Sequence, residues 1–156
     1  ALAGTTLGIT LSLLEGWLAW AGGQLVLALM LVQWFVILHE CGHETLFRTR
    51  KYNAAAGQLA AFFSLIPYQA WIRVHRRHHK WTGWQDLDPT TVSLVPKYRG
   101  RVERALVNLC WRLWIPLFSI LYRLTNYWNL HRLLRLFTIR SERSAIVRDT
   151  LALLIA

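Results

Sequence analysis

Five of the six histidines fall in two short clusters whose spacing suits a metal site. The first cluster, His39 to His43 (HECGH), places two imidazoles four residues apart. The second cluster, His75 to His79 (HRRHH), places three imidazoles at positions i, i+3 and i+4. Residues three and four apart share one face of a helix, so each cluster can direct its rings toward one place. Imidazole is a common transition-metal ligand, which makes His39, His43, His75, His78 and His79 the predicted metal ligands.

Apolar segments of membrane-spanning length lead up to the first cluster. Residues 2–21 are apolar, Gly22 and Gly23 interrupt them, and residues 24–47 form a second apolar segment that runs into the first cluster. A spanning helix needs roughly 20 residues. The pattern therefore predicts a transmembrane helical hairpin, with helices over 2–21 and 24–47 and its turn at the two glycines.

The distribution of charge supports the same interpretation. All 18 Lys and Arg residues follow His43, whereas residues 1–38 carry a single charge, Glu15. Such a layout follows the positive-inside rule and predicts an integral protein of the bacterial inner membrane or endoplasmic reticulum, with both clusters on the cytoplasmic side. A net charge of +10 on a soluble protein would suggest nucleic acid. Because the basic residues follow an apolar block, we expect no nucleic-acid partner.

A third apolar run, residues 54–72, lies between the two clusters. If it crossed the bilayer, the clusters would lie on opposite sides, about 30 Å apart. The basic segments 48–51 and 73–80 would also be separated, against the charge rule. We therefore expect 54–72 to be re-entrant or interfacial, followed by a helix over 73–82 that carries the second cluster.

The remainder of the chain mixes apolar residues with recurring arginine. Residues 101–143 predict amphipathic helices lying in the headgroup zone, and residues 145–156 predict the start of a further transmembrane helix. The expected fold is an all-α membrane protein that is truncated before its later transmembrane helices. Electron-transfer motifs such as CxxCH or GxGxxG are absent from the sequence.

The first cluster also matches H-E-x-x-H, in which two histidines bind zinc and a glutamate, here Glu40, acts as general base. An intramembrane zinc metalloprotease is therefore an alternative. A catalytic zinc uses three protein ligands and keeps one open position, and five histidines exceed that need. A non-catalytic membrane protein that binds metal or lipid is a further alternative.

The two clusters, in this order and followed by the segment from Trp81 to Pro89 (WTGWQDLDP), resemble the membrane fatty acid desaturases. The resemblance covers roughly residues 25–95. That family has a third histidine box, H/Q-x2–3-HH, which this sequence lacks, since His131 is solitary. Truncation before the third box accounts for this, and residues 1–156 alone are expected to be inactive.

The resemblance implies an oxidoreductase of lipid metabolism, an acyl-lipid or acyl-CoA desaturase that uses two iron ions and O2 to introduce a double bond into an acyl chain. A histidine-box hydroxylase or ketolase would use the same ligands. The family also implies an external electron donor, ferredoxin-like or cytochrome b5-like. An acidic donor or anionic lipid could bind the basic residues, although the positive-inside rule alone also accounts for them: Arg73, Arg76, Arg77, Lys80, Lys97, Arg99 and Arg101.

A ligating histidine usually bonds its second ring nitrogen to an acceptor. The acidic residues nearest the clusters in sequence are the candidates for this role: Glu40, Glu44, Asp86 and Asp88. Asp88 precedes Pro89, so it could instead set a turn.

Overall fold

The computed structural model describes residues 1–84, 86–90, 100–112 and 116–155, and every regular element within those ranges is helical. The helices are α1 (Leu2–Leu13), α2 (Trp17–Gly42), α3 (Arg50–Phe63), α4 (Tyr68–Trp81), α5 (Arg101–Arg112), α6 (Pro116–Arg123), the π-helical turn Leu124–Trp128, α7 (Leu130–Leu136) and α8 (Arg140–Ile155). The chain divides into two compact units, Ala1–Leu65 and Ile66–Ala156. Each unit contains one histidine cluster.

In the first unit, α1 packs antiparallel against α2. The buried indole nitrogen of Trp34 donates a hydrogen bond to Thr5 Oγ1 over 2.9 Å, and the Gln24 amide donates to Ser12 Oγ over 3.0 Å. Trp34 also stacks on Phe63 of α3, with ring centroids 4.5 Å apart. The aromatic stack therefore joins the third helix of this unit to the second.

The turn of this helix pair does not lie where the sequence predicts it. The chain turns at residues 14–16, where Gly16 has a φ of 106°, and α2 runs without a break through Gly22 and Gly23. The predicted helix bounds 2–21 and 24–47 are therefore wrong. A Cβ added to Gly23 would lie 2.6 Å from the backbone nitrogen of Ser12, so this glycine allows close helix packing rather than a turn.

Among the described residues, α2 is the one helix long and apolar enough to cross a membrane. Its apolar side chains Leu25, Leu29 and Val32 are mostly exposed, as lipid-facing residues would be. The helix ends at Gly42, five residues before the predicted bound at Phe47, and Glu44 follows with a φ of 61°. The left-handed backbone at Glu44 is incompatible with continued helix. The α1 helix has 12 residues, so the transmembrane hairpin remains a prediction.

The apolar run 54–72 is divided between two helices. The α3 helix ends at Phe63 and α4 begins at Tyr68, with Leu65 at a φ of 54° between them. Pro67 occupies the position before α4, where its missing amide hydrogen costs nothing. Residues 54–72 thus do not form a single helix. Their re-entrant or interfacial location stays a prediction.

In the second unit, α4 packs against α8 and the π-helical turn. Trp71, Leu133 and Ile146 are almost completely buried there. The first turn of α4 receives an acceptor from α8, because the amide of Gln69 donates to Asp149 Oδ2 over 2.8 Å. Such a carboxylate acts as a cap on the helix N-terminus, as an N-cap side chain would.

The predicted amphipathic region 101–143 contains four short helical elements in its described part: α5, α6, the π-helical turn and α7. The last helix begins at Arg140, five residues before the predicted start at Ala145, and carries Arg148 and Asp149 within it. This helix packs on α4. Whether residues 145–156 begin a membrane span remains a prediction.

The neighbouring glycines of α2 provide a matched test of the α1–α2 contact. We expect Gly23→Ala to destabilise the protein by about 1–3 kcal/mol, because the added methyl group overpacks the contact. Gly22 has nothing within 4 Å of an added Cβ, so Gly22→Ala should be neutral or stabilising by up to about 1 kcal/mol. Unfolding in detergent measures both. Equal effects of the two substitutions would contradict the close packing at Gly23.

Candidate metal centre

The first cluster lies at the C-terminal end of α2. His39 is in the last helical turn and His43 immediately follows Gly42, so their rings lie on one side with centroids 4.6 Å apart. His39 is partly buried and His43 is exposed. The structure thus brings the two predicted ligands of this cluster together within the first unit.

The loop after the first cluster is held by Asn53 of α3, which is almost completely buried. Its amide nitrogen donates to the Phe47 carbonyl over 2.6 Å, and its amide oxygen accepts from the Phe47 backbone nitrogen over 3.0 Å. A further hydrogen bond of 3.4 Å reaches the carbonyl of Glu44. One side chain therefore fixes the path of the chain directly after the helix end that carries His39 and His43.

The second cluster occupies the last two turns of α4. The rings of His75 and His79 lie 4.5 Å apart, and those of His78 and His79 lie 5.4 Å apart. His75 stacks on the buried indole of Trp71, with centroids 4.5 Å apart and ring planes inclined by 16°. The three imidazoles are thus close together, and the ring of His75 stacks on a buried aromatic ring.

His78 contacts a buried carboxylate and a threonine hydroxyl. Its Nδ1 lies 2.7 Å from Oδ2 of Asp88, a carboxylate that is 1% exposed. Thr90 Oγ1 lies 3.0 Å from the same nitrogen and donates to Asp88 Oδ1 over 2.8 Å. With the Nδ1 hydrogen donated to Asp88, the other ring nitrogen is left as an acceptor, which is the form that binds metal.

The electrostatics of this group favour an ionised carboxylate. Burial acts to raise the pKa of Asp88, but hydrogen bonds from the backbone and side chain of Thr90 and from His78 outweigh it and lower the pKa. A carboxylate that accepts several hydrogen bonds retains its charge at neutral pH. Asp88 is therefore a permanent acceptor for His78.

The other acidic candidates have different surroundings. Glu40 Oε1 lies 3.4 Å from His39 Nδ1, and its second oxygen accepts from Thr45 over 2.8 Å. Glu44 forms an ion pair of 3.0 Å with Arg50, and Asp86 is exposed. Of the four, Asp88 has the shortest contact with a clustered histidine among those observed.

Part of the predicted basic docking surface is used in packing. Arg77 donates to the Leu136 carbonyl over 2.6 Å and lies over the ring of Phe137. Arg73 donates to the Gln69 carbonyl over 3.1 Å and lies 3.9 Å from Glu142. These two arginines contribute to the α4–α7–α8 contact, whereas Arg76, Lys80 and Arg101 are exposed. Lys97 and Arg99 lie outside the described residues.

Three residues beside the clusters were not predicted from the sequence. Trp71 lies one helical turn before His75, a spacing that could have indicated the stacking. Thr90 follows Asp88 by two residues, the usual spacing of a turn in which an aspartate accepts from the chain ahead of it. Asn53 gives no signal in the sequence, because its role depends on how α3 meets the loop.

Comparisons with known proteins relate this sequence to fatty acid desaturases. A probable fatty acid desaturase, DES1, from Sorghum bicolor is 35% identical over 98 residues, covering 63% of this chain and 24% of the relative. An sn-1 oleoyl-lipid 12-desaturase from a Picosynechococcus species is 29% identical over 106 residues, covering 64% and 29%. An sn-1 acyl-lipid omega-3 desaturase (ferredoxin) from a Nostoc species is 36% identical over 77 residues, covering 49% and 21%.

The chain spans about a quarter of the length of the curated relatives that it matches. No solved structure matches it. A sequence model of the family described as fatty acid desaturase matches residues 15–156, which include both histidine clusters and the Asp88 turn. The chain therefore belongs to the fatty acid desaturase family.

Proposed function

We propose that this chain is part of an O2-dependent desaturase that introduces a double bond into the acyl chain of a membrane lipid. In this proposal His39, His43, His75, His78 and His79 bind a pair of iron ions together with ligands outside this sequence. The observation that carries it is the 2.7 Å contact between His78 Nδ1 and the buried Asp88, which fixes the ring as a metal-binding tautomer.

The chemistry of the donor set fits iron. Neutral imidazoles bind iron well, and five of them suit two metal ions better than the three-ligand site of a catalytic zinc. Membership of the desaturase family likewise does not favour the metalloprotease alternative. Bound iron would supply the activation of O2 that is needed to remove hydrogen from unactivated methylene groups.

The residues of this chain have defined parts in the proposal. Asp88 holds the Nδ1 hydrogen of His78, so that the ring presents its other nitrogen to the metal. Trp71 supports the ring of His75 from the protein core. Glu40, Glu44 and Asp86 remain candidates for similar support of the other histidines. Such outer contacts raise the basicity of a ligand and fix its orientation.

The names of the relatives guide the choice of substrate and electron donor. Relatives are named for oleoyl-lipid and acyl-lipid substrates, and two of the names specify ferredoxin. We infer that the intact protein acts on an acyl lipid and receives electrons from a ferredoxin-like protein, while a cytochrome b5-like donor stays a prediction. The exposed Arg76 and Lys80 could contribute to binding such an acidic donor.

Expression of the full-length protein in a host without its own desaturase tests the proposed reaction. Gas chromatography and mass spectrometry of the lipid acyl chains should reveal a new double bond that depends on O2 and iron. Hydroxylated acyl chains in place of unsaturated ones would instead support the hydroxylase alternative. Zinc in the purified protein, with proteolysis that Glu40→Gln abolishes, would support the metalloprotease.

The ligand assignment predicts the effect of removing each imidazole. We expect alanine at any of His39, His43, His75, His78 or His79 in the full-length protein to abolish product formation and to lower the iron content below two ions per chain. The solitary, exposed His131 is the matched control, and His131→Ala should retain both. Normal turnover by one of the five variants would remove that histidine from the ligand set.

The contact with His78 predicts a specific effect of Asp88→Asn. An amide is a weaker acceptor than a carboxylate, so iron affinity should fall by about 10–100-fold. Competition with a chelator measures this affinity in the full-length protein. Asp86→Asn, at an exposed position two residues earlier, tests the second acidic candidate of this segment in the same way. Unchanged iron affinity in Asp88→Asn would show that the acceptor of His78 has been assigned to the wrong residue.

The charge layout predicts that both clusters face the cytoplasm in an integral membrane protein. In a background with Cys41 and Cys110 replaced by alanine, we expect Arg50→Cys and Arg76→Cys to react with an impermeant thiol reagent from the cytoplasmic side. Both arginines are exposed, so labelling should be efficient. Labelling of the two positions from opposite sides of the membrane would contradict this topology.

A further inference from the structure

We propose that Arg132 is a positioning residue for the metal centre, because its guanidinium holds the turn Asp88-Pro89-Thr90 and, through it, the ring of His78. The connection to metal rests on the proposed function. The restraint on the turn rests on hydrogen bonds within the second unit and does not depend on the proposed function.

The guanidinium of Arg132 bridges two segments that are distant in sequence. Its Nη2 donates to the carbonyl oxygen of Pro89, 43 residues earlier in the chain. Its Nη1 donates to Asn126 Oδ1 over 2.6 Å and to the Thr125 carbonyl over 3.1 Å. The planar, fork-like arrangement of guanidinium donors suits two separate groups of acceptors, which a lysine ammonium cannot match in the same geometry.

The acceptors on the other side of Arg132 are themselves fixed. Asn126 lies in the π-helical turn Leu124–Trp128 and is 2% exposed. Its amide nitrogen donates to the Tyr122 carbonyl over 2.9 Å, which leaves its amide oxygen directed to Arg132. Short π-helical segments are frequent at functional sites. Here the segment presents a backbone carbonyl and a buried amide to one cation.

Besides its contacts with Arg132 and His78, the turn has local hydrogen bonds. The amide of Asp88 donates to the Trp84 carbonyl over 2.9 Å, and the amide of Thr90 donates to Asp88 Oδ1 over 2.9 Å. Local bonds shape the turn, and the contacts of Asp88 and Thr90 with His78 join it to α4. Pro89 lies between Asp88 and Thr90, the two residues next to His78 Nδ1, so a tether on its carbonyl restrains both contacts with the imidazole.

A residue that acts in this way should change metal binding by way of His78. We expect Arg132→Gln in the full-length protein to weaken iron binding by about 10-fold or more, within the range found for outer contacts of metal ligands. Arg132→Lys should have an intermediate effect, because an ammonium keeps the charge but not the fork of donors. Competition with a chelator measures the iron affinity of the wild-type protein and of both variants.

Arg143 is the matched control. It also donates to two backbone carbonyls, those of Phe137 over 2.9 Å and Leu134 over 2.6 Å, but not to the turn at Asp88. Arg143→Gln should leave iron affinity within about twofold of wild type. An equal loss of affinity in Arg132→Gln and Arg143→Gln would indicate general destabilisation and would overturn the proposal.

Two further measurements separate positioning from folding. Combined with Asp88→Asn, Arg132→Gln should weaken iron binding by less than the product of the two single effects, since both act through one ring. Full additivity would overturn the proposal. Should Arg132→Gln not accumulate, Arg132→Lys takes its place in this cycle.

Hydrogen exchange in the metal-free protein tests the restraint without iron. Arg132→Gln should speed exchange at the amides of Asp88 and Thr90 relative to wild type and to Arg143→Gln, because the turn opens more often. Unchanged exchange there would refute the restraint. If the purified full-length wild-type protein contained no iron, the proposed function would be refuted. The hydrogen-exchange result would still show whether Arg132 restrains the turn.

Discussion

The hydrogen bond between His78 and Asp88 is the interaction on which the second histidine cluster depends. An imidazole on a helix end can rotate or exchange tautomers, and either change removes it from a metal. A buried carboxylate 2.7 Å from Nδ1 opposes both. Because Asp88 is itself held by Thr90, the direction of the ring follows from the shape of one short turn.

The two clusters lie in separate units but have similar local structure. Each occupies the C-terminal end of a helix, and each is followed by a segment that a polar side chain from a later helix holds by its backbone carbonyls: Asn53 after the first cluster and Arg132 after the second. Helix ends leave carbonyls and side chains less constrained than helix centres. Holding the following segment compensates for this, so the histidines gain order although they lie at helix ends.

The sequence allowed the two clusters and the helical class to be anticipated, because each depends on short-range spacing. The predictions that failed concern residues whose roles depend on tertiary contacts. A Gly-Gly pair indicates a turn in sequence, yet Gly23 is needed where α1 passes within contact of α2. Arg73 and Arg77 resemble surface charges, yet both pack against residues more than 50 positions away. Arg132 and Asn53 were missed for the same reason, since their partners are set by tertiary contacts.

The carboxylate of Asp149 caps a helix that begins 80 residues earlier in the chain. During translation, α4 therefore leaves the ribosome without the acceptor for its first turn. At about 5–20 residues per second, that acceptor follows some 4–16 seconds later. Arg132 follows Pro89, the residue that it tethers, by 43 residues, or about 2–9 seconds. The second cluster is thus assembled late, and a nascent chain exposes its three imidazoles before their surroundings exist.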